Sequence, residues 1–297
     1  MALAAEDGAE LPPPPEAALR DFLVVPRPTP QGQEGQAAIN WSTGVLRVAG
    51  RGRPKADAAT PGQRKLQART AARDVALRNL AYALEGAPVT SDATFQEYVR
   101  RQGGKVEIHS FVRGARTVGE RAFEDDSIEL TLEAPLRGNA DLSHVLYQQE
   151  GKRRHGKPKP SLRPASEPEP EGLTPAGAPG PFTGLVVIAT GLDTEPVLIP
   201  TLFDDAGKVA YGLGVAEPGA AAQQGIAAYA RTLAGVTQVG RTGATPLVVR
   251  AAGVNARSKG DLILSKADAE RVRRADQEAG FLKRAAVTIV LDPPAGN

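Results

Sequence analysis

Ser127-Ile128-Glu129-Leu130-Thr131-Leu132-Glu133-Ala134-Pro135-Leu136 is the stretch that decides the fold. Large aliphatic residues alternate with Glu, Thr and Glu, a period of two. Successive side chains of a strand point to opposite faces, so the pattern marks a strand with one buried and one wet face. Ile128, Leu130 and Leu132 fall on the buried side, and Glu129, Thr131 and Glu133 on the wet side. Asp125-Asp126 supplies the turn before it. Lys105 to Arg113 and Ala115 to Phe123, joined at Gly114, read as two more strands that can pair antiparallel with it.

Upstream, Pro61 to Leu84 reads as a long Ala-rich helix. Leu66, Leu77, Leu80, Ala81 and Leu84 lie near one face at 100° per residue, and Arg73 interrupts that face. Ala68, Ala71, Ala72 and Ala76 permit close packing on a sheet. Gly86 and Pro88 end the helix. Ser91 or Asp92 is placed to cap a short helix carrying Phe95, Tyr98 and Val99. Before the long helix, Ile39 to Val48 reads as a strand running into a Gly/Arg turn, Gly50-Arg51-Gly52-Arg53-Pro54. The resulting order, strand, helix, short helix and three strands, is an α+β layer.

The prolines divide the chain. Of 25, seven fall in residues 1–36 and eight in 150–181. Proline removes backbone donors and fixes φ, so 1–36 is expected as an extended arm. Its one apolar patch, Leu19 to Val25, leaves two readings open: docking on the body, or a mobile arm. Residues 150–181 begin basic (Lys152, Arg153, Arg154, Lys157, Lys159, Arg163), turn acidic, and read as a linker that proteases cut first to leave two folded fragments. The expected domains are therefore 37–149 and 182–297. In the second, Leu185 to Ala189, Leu247 to Val254, Leu262 to Leu264 and Val287 to Leu291 read as strands. Asp204-Asp205-Ala206-Gly207 reads as the turn of a hairpin, and Thr232 to Thr245 as a loop. A helix is expected to start at Pro218, with Ile226 and Tyr229 to pack. Another is capped by Ser265 and Asp268 and runs to about Ala279. Each domain is thus expected as α+β, a mainly antiparallel sheet packed with one or two helices.

Composition removes several functions. The chain has 297 residues, 36 Lys+Arg against 34 Asp+Glu, and 4% aromatics. Near-neutral charge and few aromatics count against nucleic-acid binding; a basic patch at 152–163 is the alternative that remains. Zero Cys excludes disulfides, thiol catalysis and Cys-type zinc sites. No stretch approaches a membrane span. His109, His144 and His155 have no partner at helical metal-ligand spacing. Gly240-Arg241-Thr242-Gly243 lacks the lysine and spacing of a P-loop, and Gly212-Leu213-Gly214 lacks the third glycine of a dinucleotide fingerprint. Asp125-Asp126 and Asp204-Asp205 sit in turns, where Asp serves local hydrogen bonding before it serves calcium. Asp261 reads as a buried charge with a structural partner. No catalytic residue, metal or cofactor is expected. An enzyme, a hydrolase with a site assembled only in three dimensions, stands as the alternative.

Ala49-Gly50-Arg51-Gly52, Ala71-Ala72-Arg73-Asp74, Arg78-Asn79-Leu80, Val89-Thr90-Ser91-Asp92, Val112-Arg113-Gly114-Ala115 and Leu132 to Gly138 together resemble the LPP-twenty lipoprotein family, over about residues 37–140. A related module opens the T-ring accessory protein of some flagellar basal bodies. The second half is similar to sequence in longer envelope proteins carrying that module. The resemblance implies a periplasmic or otherwise envelope-associated structural protein without enzymatic activity. This chain departs from the family in lacking the lipidated cysteine. Ala2-Leu3-Ala4 has the small-x-small form of a signal-peptidase site without a charged or apolar signal region before it, which leaves two readings open: export, the one favoured, and an ordinary Ala-rich N-terminus. The expected function is a scaffold or adaptor for other envelope proteins or an anionic surface polymer. Its candidate interaction residues are Arg51 and Arg53, which flank a glycine where an anion can be held, Glu129 and Glu133 on the wet strand face, and Lys152, Arg153 and Arg154 in the linker.

Overall fold

The structure is a computed structural model. It describes residues 22–25, 37–90, 92–101, 111–112, 114–138, 146, 160–162, 181–256 and 258–292, with the backbone alone for 22–25 and 160–162. The fold is α+β. Its described residues group into two compact units. One takes them from Met1–Asn40, Val45–Leu84 and Ile108–Pro135, and the other from Trp41–Gly44, Glu85–Glu107 and Leu136–Asn297.

The first unit is an antiparallel sheet of β1 (Phe22–Val25), β2 (Ala37–Asn40), β3 (Val45–Gly52), β6 (Arg116–Ala122) and β7 (Ile128–Pro135), in the order β1-β2-β3-β7-β6. The strand expected over 39–48 is two strands, because Gly44 takes φ +70° and turns the chain back. Gly50 and Gly52 belong to β3, not to a turn. Of the proline-rich arm, Phe22–Val25 pairs along β2. The expected strand over 105–113 is described only at Phe111 and Val112, which are helical.

Helix α1 (Pro61–Glu85) lies on this sheet. Thr60 and Gln63 form a capping box: the Gln63 N–H donates to the Thr60 hydroxyl at 3.2 Å, and the Thr60 N–H to Gln63 Oε1 at 3.2 Å. Pro61 then sits where its missing N–H costs nothing. The buried residues of α1 are Ala68, Ala72, Ala76, Leu80, Ala83 and Leu84, so the contact face is an alanine stripe. The alanines expected to permit close packing thus make the contact, Leu80 and Leu84 of the expected leucine face are buried with them, and Leu66 is 66% exposed. The cause lies across the contact. A Cβ on Gly50 would sit 2.2 Å from the Ala76 nitrogen, and one on Gly52 2.1 Å from the Ala72 nitrogen. Helix and strand therefore meet backbone to backbone, leaving room for methyl groups alone. Ala68 and Ala72 pack on Ile128 and Leu130, and the Asn79 amide donates to the Ala49 carbonyl at 2.8 Å.

The second unit begins with a ribbon, β4 (Pro88–Thr90) and β5 (Ala93–Thr94), and helix α2 (Phe95–Arg101). Thr94 caps α2 in place of Asp92, and Ser91 lies outside the described residues. The Glu97 carboxylate accepts the Thr94 N–H at 2.9 Å, and the Thr94 hydroxyl accepts the Glu97 N–H. The remaining elements are β8 (Pro160–Leu162), β9 (Leu185–Ile188), β10 (Leu202–Asp204), β11 (Val209–Tyr211), α3 (Pro218–Gln224), β12 (Ala228–Ala230), α4 (Leu233–Val239), β13 (Leu247–Arg250), β14 (Gly253–Asn255), β15 (Ser258–Leu264), α5 (Lys266–Ala279) and β16 (Val287–Val290). One sheet runs β11-β10-β15-β14-β8, antiparallel except at β10–β15. The other runs β12-β16-β9-β13 and is parallel throughout, where the sequence reading expected mainly antiparallel pairing. Its strands say why. Leu185–Ile188 and Val287–Val290 are buried at every position, as strands covered on both faces must be. Leu233 and Val236 of α4 pack on Val186, Ile188, Ala230 and Val290. The reading of 232–245 as a loop missed α4, whose Gly235, Val236, Thr237 and Val239 are poor helix formers; the Thr232 cap and the αL Gly240 hold it.

The units do not coincide with the halves that the prolines suggest. Within the second unit, the Leu198 N–H donates to the Pro88 carbonyl at 3.0 Å, Ile199 N–H to Val89 at 2.8 Å, and Gly138 N–H to Ala222 at 3.1 Å. Pro160–Leu162, inside the expected linker, is an edge strand on β14.

Two outcomes follow from this packing. Ala72→Leu should destabilise by about 1–3 kcal/mol or more in a denaturant melt, because the added carbons have no space. Leu66→Ala should shift stability by no more than about 0.5 kcal/mol. The reverse ranking would restore the leucine stripe as the contact face. Separately, a protease site inserted at Gly172 should, once cut, leave fragments that co-elute on gel filtration, since residues 88–89 and 138 pair with 198–199 and 222. Fragments that elute apart, each folded, would restore the division at 150–181.

Candidate interaction surface

The face of the first sheet turned away from α1 carries the charge. Register across β3, β7 and β6 sets Arg47, Glu133 and Arg116 in one row, and Arg51, Glu129 and Arg121 in another. Arg116 and Arg121 are five residues apart, which in a regular strand puts them on opposite faces. The register slips between Thr117 and Gly119, so Val118 is an extra residue, and this bulge brings both arginines to the same face. The rows are four residues apart along β7, roughly 13 Å at the rise of a strand. The other side of β6 faces α1, where Glu120 pairs with Arg69 and Thr117 with Arg73.

In the first row, Arg47 Nε donates to Glu133 Oε1 at 2.8 Å, and its Nη2 donates to the same oxygen. The Glu133 side chain is only 12% exposed, while Arg116, 3.8 Å from the second oxygen, is 78% exposed. Glu133 was expected to be wet. It is enclosed because Arg47, directly opposite on the ladder, closes over it.

In the second row Arg51 turns from Glu129 to the turn before β7. Its Nε donates to the Ser127 hydroxyl at 2.7 Å and its Nη2 to the Asp125 oxygens at 3.1 and 3.2 Å. The guanidinium carbon stands 3.8 Å from the ring centroid of Phe123, and that of Arg121 4.9 Å. Arg53 approaches Asp125 at 3.4 Å. The hydrogen bond from the Ser127 hydroxyl holds the Asp125 carboxyl down at about 2, and Arg51 adds to it. The expected anion-holding geometry of Arg51 and Arg53 is therefore satisfied by the chain's own carboxylate. Asp126, at φ 58°, faces Arg64 at 3.1 Å, so both members of the Asp125-Asp126 pair are turned to arginines rather than to a cation site. Glu129 makes no ion pair among the described residues.

The other candidates resolve into supports of the second unit. Asp204 is pushed up by burial, yet Arg273 and the Lys208 N–H outweigh this and lower its pKa; they lie at 2.7 and 2.8 Å. Asp261 accepts the Thr201 N–H at 3.1 Å. Arg241, from the Gly240–Gly243 segment, donates to the carbonyls of Gln224, Gly225 and Ala285. Arg137 does the same to Trp41, Ser42 and Ala227. The Tyr229 phenol, pushed up by burial, both accepts from and donates to Val197 and meets Trp41 edge to face at 5.8 Å. A cavity beside Trp41 and Arg137 measures about 10 Å³, the size of one water. Among the described residues no group of three His, Asp or Glu is placed to hold a metal ion. His109, His144, His155, Lys152, Arg153 and Arg154 lie outside the described residues. Among those described, no helix is long and apolar enough to cross a membrane.

Residues 184–293 match the family model described as Treponema pallidum Tp0624, second domain. This stretch holds the parallel sheet, α3, α4 and α5. No curated protein matches the chain. The match overturns the resemblance to the LPP-twenty family, which nothing supports over 37–140. The physical reason is visible in the motifs themselves. Ala49-Gly50-Arg51-Gly52 and Ala71-Ala72 are what a helix pressed onto a strand requires, whatever the family.

Sequence reasoning missed Arg47, Arg116, Arg121 and Phe123. The five-residue spacing hid the arginines, because a bulge has no signature in the alternation of β6. The two glutamates should now separate. Glu133→Ala, which strands Arg47, should cost on the order of 3 kcal/mol, whereas Glu129→Ala should cost no more than about 0.5 kcal/mol. Equal costs in urea melts would contradict the enclosed pair.

Proposed function

We propose that the protein is a non-catalytic scaffold or adaptor of the cell envelope, which engages other envelope proteins or an anionic surface polymer through the charged face of its first unit. The observation that carries this reading is the pair of Arg-Glu-Arg rows on β3, β7 and β6, with Glu133 locked by Arg47 and Arg121 set against Phe123. Packed strands hold these charges in a fixed pattern, and fixed charge gives specificity and encounter rate to a binding surface. In support of a non-catalytic role, Asp125, Asp204 and Tyr229 spend their hydrogen bonds on the fold.

The test is photo-cross-linking in the cells that make the protein. A cross-linking residue replaces Thr131, at the centre of the face, or Leu66 on α1 as the control position. Thr131 should give reproducible adducts with envelope proteins or glycopolymer that Leu66 does not give. Adducts with cytosolic proteins alone, or the same adducts from both positions, would contradict the proposal.

A further inference from the structure

The edge strand β6 carries chemistry that the other described residues leave unused. It pairs with β7 on one side, and among the described residues no strand pairs on the other. All of its residues are exposed or half-buried. An open edge presents a row of backbone donors and acceptors to another extended chain. The Val118 bulge aims Arg116 and Arg121 at one face. Arg116 stands 3.8 Å from an oxygen of Glu133, a carboxylate already held by Arg47. Arg121 lies against Phe123 and donates no side-chain hydrogen bond among the described residues; a guanidinium on a ring keeps its N–H edge for another acceptor. On the opposite face, Thr117 and Glu120 are tied to α1. The edge is thus basic on one side and settled on the other.

We propose that β6 accepts an extended acidic segment of a partner protein as a sixth strand, with partner carboxylates meeting Arg116 and Arg121. This rests on the adaptor reading and adds the chemistry of what is bound. Main-chain hydrogen bonds supply affinity in strand addition, and side-chain pairing supplies specificity. A strand beside β6 shares its rise, so acidic residues four apart span the roughly 13 Å between the two rows. A second copy of this chain fits poorly, because β6 against β6 gathers arginines on one face, and like charges across a strand pair destabilise it.

The test uses the full chain and a fluorescein-labelled synthetic peptide alternating Glu and Thr, read by anisotropy and amide hydrogen exchange. The peptide should bind saturably, and the amides of Arg116–Ala122 should exchange at least about tenfold more slowly in the complex. The double variant Arg116→Glu, Arg121→Glu should keep its melting temperature, bind this peptide at least about tenfold more weakly, and gain binding to the matching Lys/Thr peptide. If that variant melts early, Arg116→Gln with Arg121→Gln gives the same reading through loss alone. No binding, or binding without protection of β6, overturns strand addition. Inorganic polyphosphate binding to the same arginines, with β6 amides unprotected, also overturns it and leaves the adaptor reading standing. Absence of all binding together with absence of envelope adducts at Thr131 removes both.

Discussion

The first unit depends on one contact, the approach of the α1 backbone to the β3 backbone at Gly50 and Gly52. Two glycines on one strand and an Ala68-Ala72-Ala76 stripe on the helix bring the elements closer than any larger side chain permits. A close contact between rigid elements leaves little freedom in how the helix lies over the sheet. It also decides which face of β3 and β7 is covered. Ile128, Leu130 and Leu132 go under the helix, and Arg47, Arg51, Glu129 and Glu133 are left on the other face. The charged rows are the reverse side of the alanine packing.

That logic explains what the sequence disclosed. The alternation placed residues 128–133 of β7 on their correct faces, because a period of two has one meaning when one side is dry. The long helix and its limits were legible from Pro61 and from Gly86 with Pro88. The helix's contact face was legible in large part: Ala68, Ala72 and Ala76 pack closely on the sheet as expected, and Leu80 and Leu84 are buried, but Leu66, grouped with them by hydrophobicity, is exposed. Glu133 was placed on the right face yet given the wrong exposure, since its cover is a cross-strand arginine that only register reveals.

In the second unit the hairpin at Asp204–Gly207, the capped helix α5 and the buried strands were readable from local chemistry. The parallel order β12-β16-β9-β13 was not, because it joins segments about 60 to 100 residues apart in ways that no local pattern encodes. The same applies to Arg137 and Arg241. In sequence they are ordinary arginines beside glycines. In the fold each gathers three backbone carbonyls that would otherwise be difficult to satisfy in a packed interior. Arg116 and Arg121 of the first unit are exposed on the outer sheet face, whereas these two are turned inward, and the proposed function rests on that difference.

The most direct measurement of the account is a double-mutant cycle between Gly50→Ala and Ala76→Gly, followed by equilibrium unfolding. The Cβ added at position 50 would strike Ala76 N, Ala72 O and Ala76 Cα, all backbone atoms. Removing the Ala76 methyl therefore cannot make room for it. Gly50→Ala should be strongly destabilising, and the double variant should be at least as unstable as the single one. Recovery of stability in the double variant would show that side chains, not backbones, set the distance, and the central contact would be contradicted.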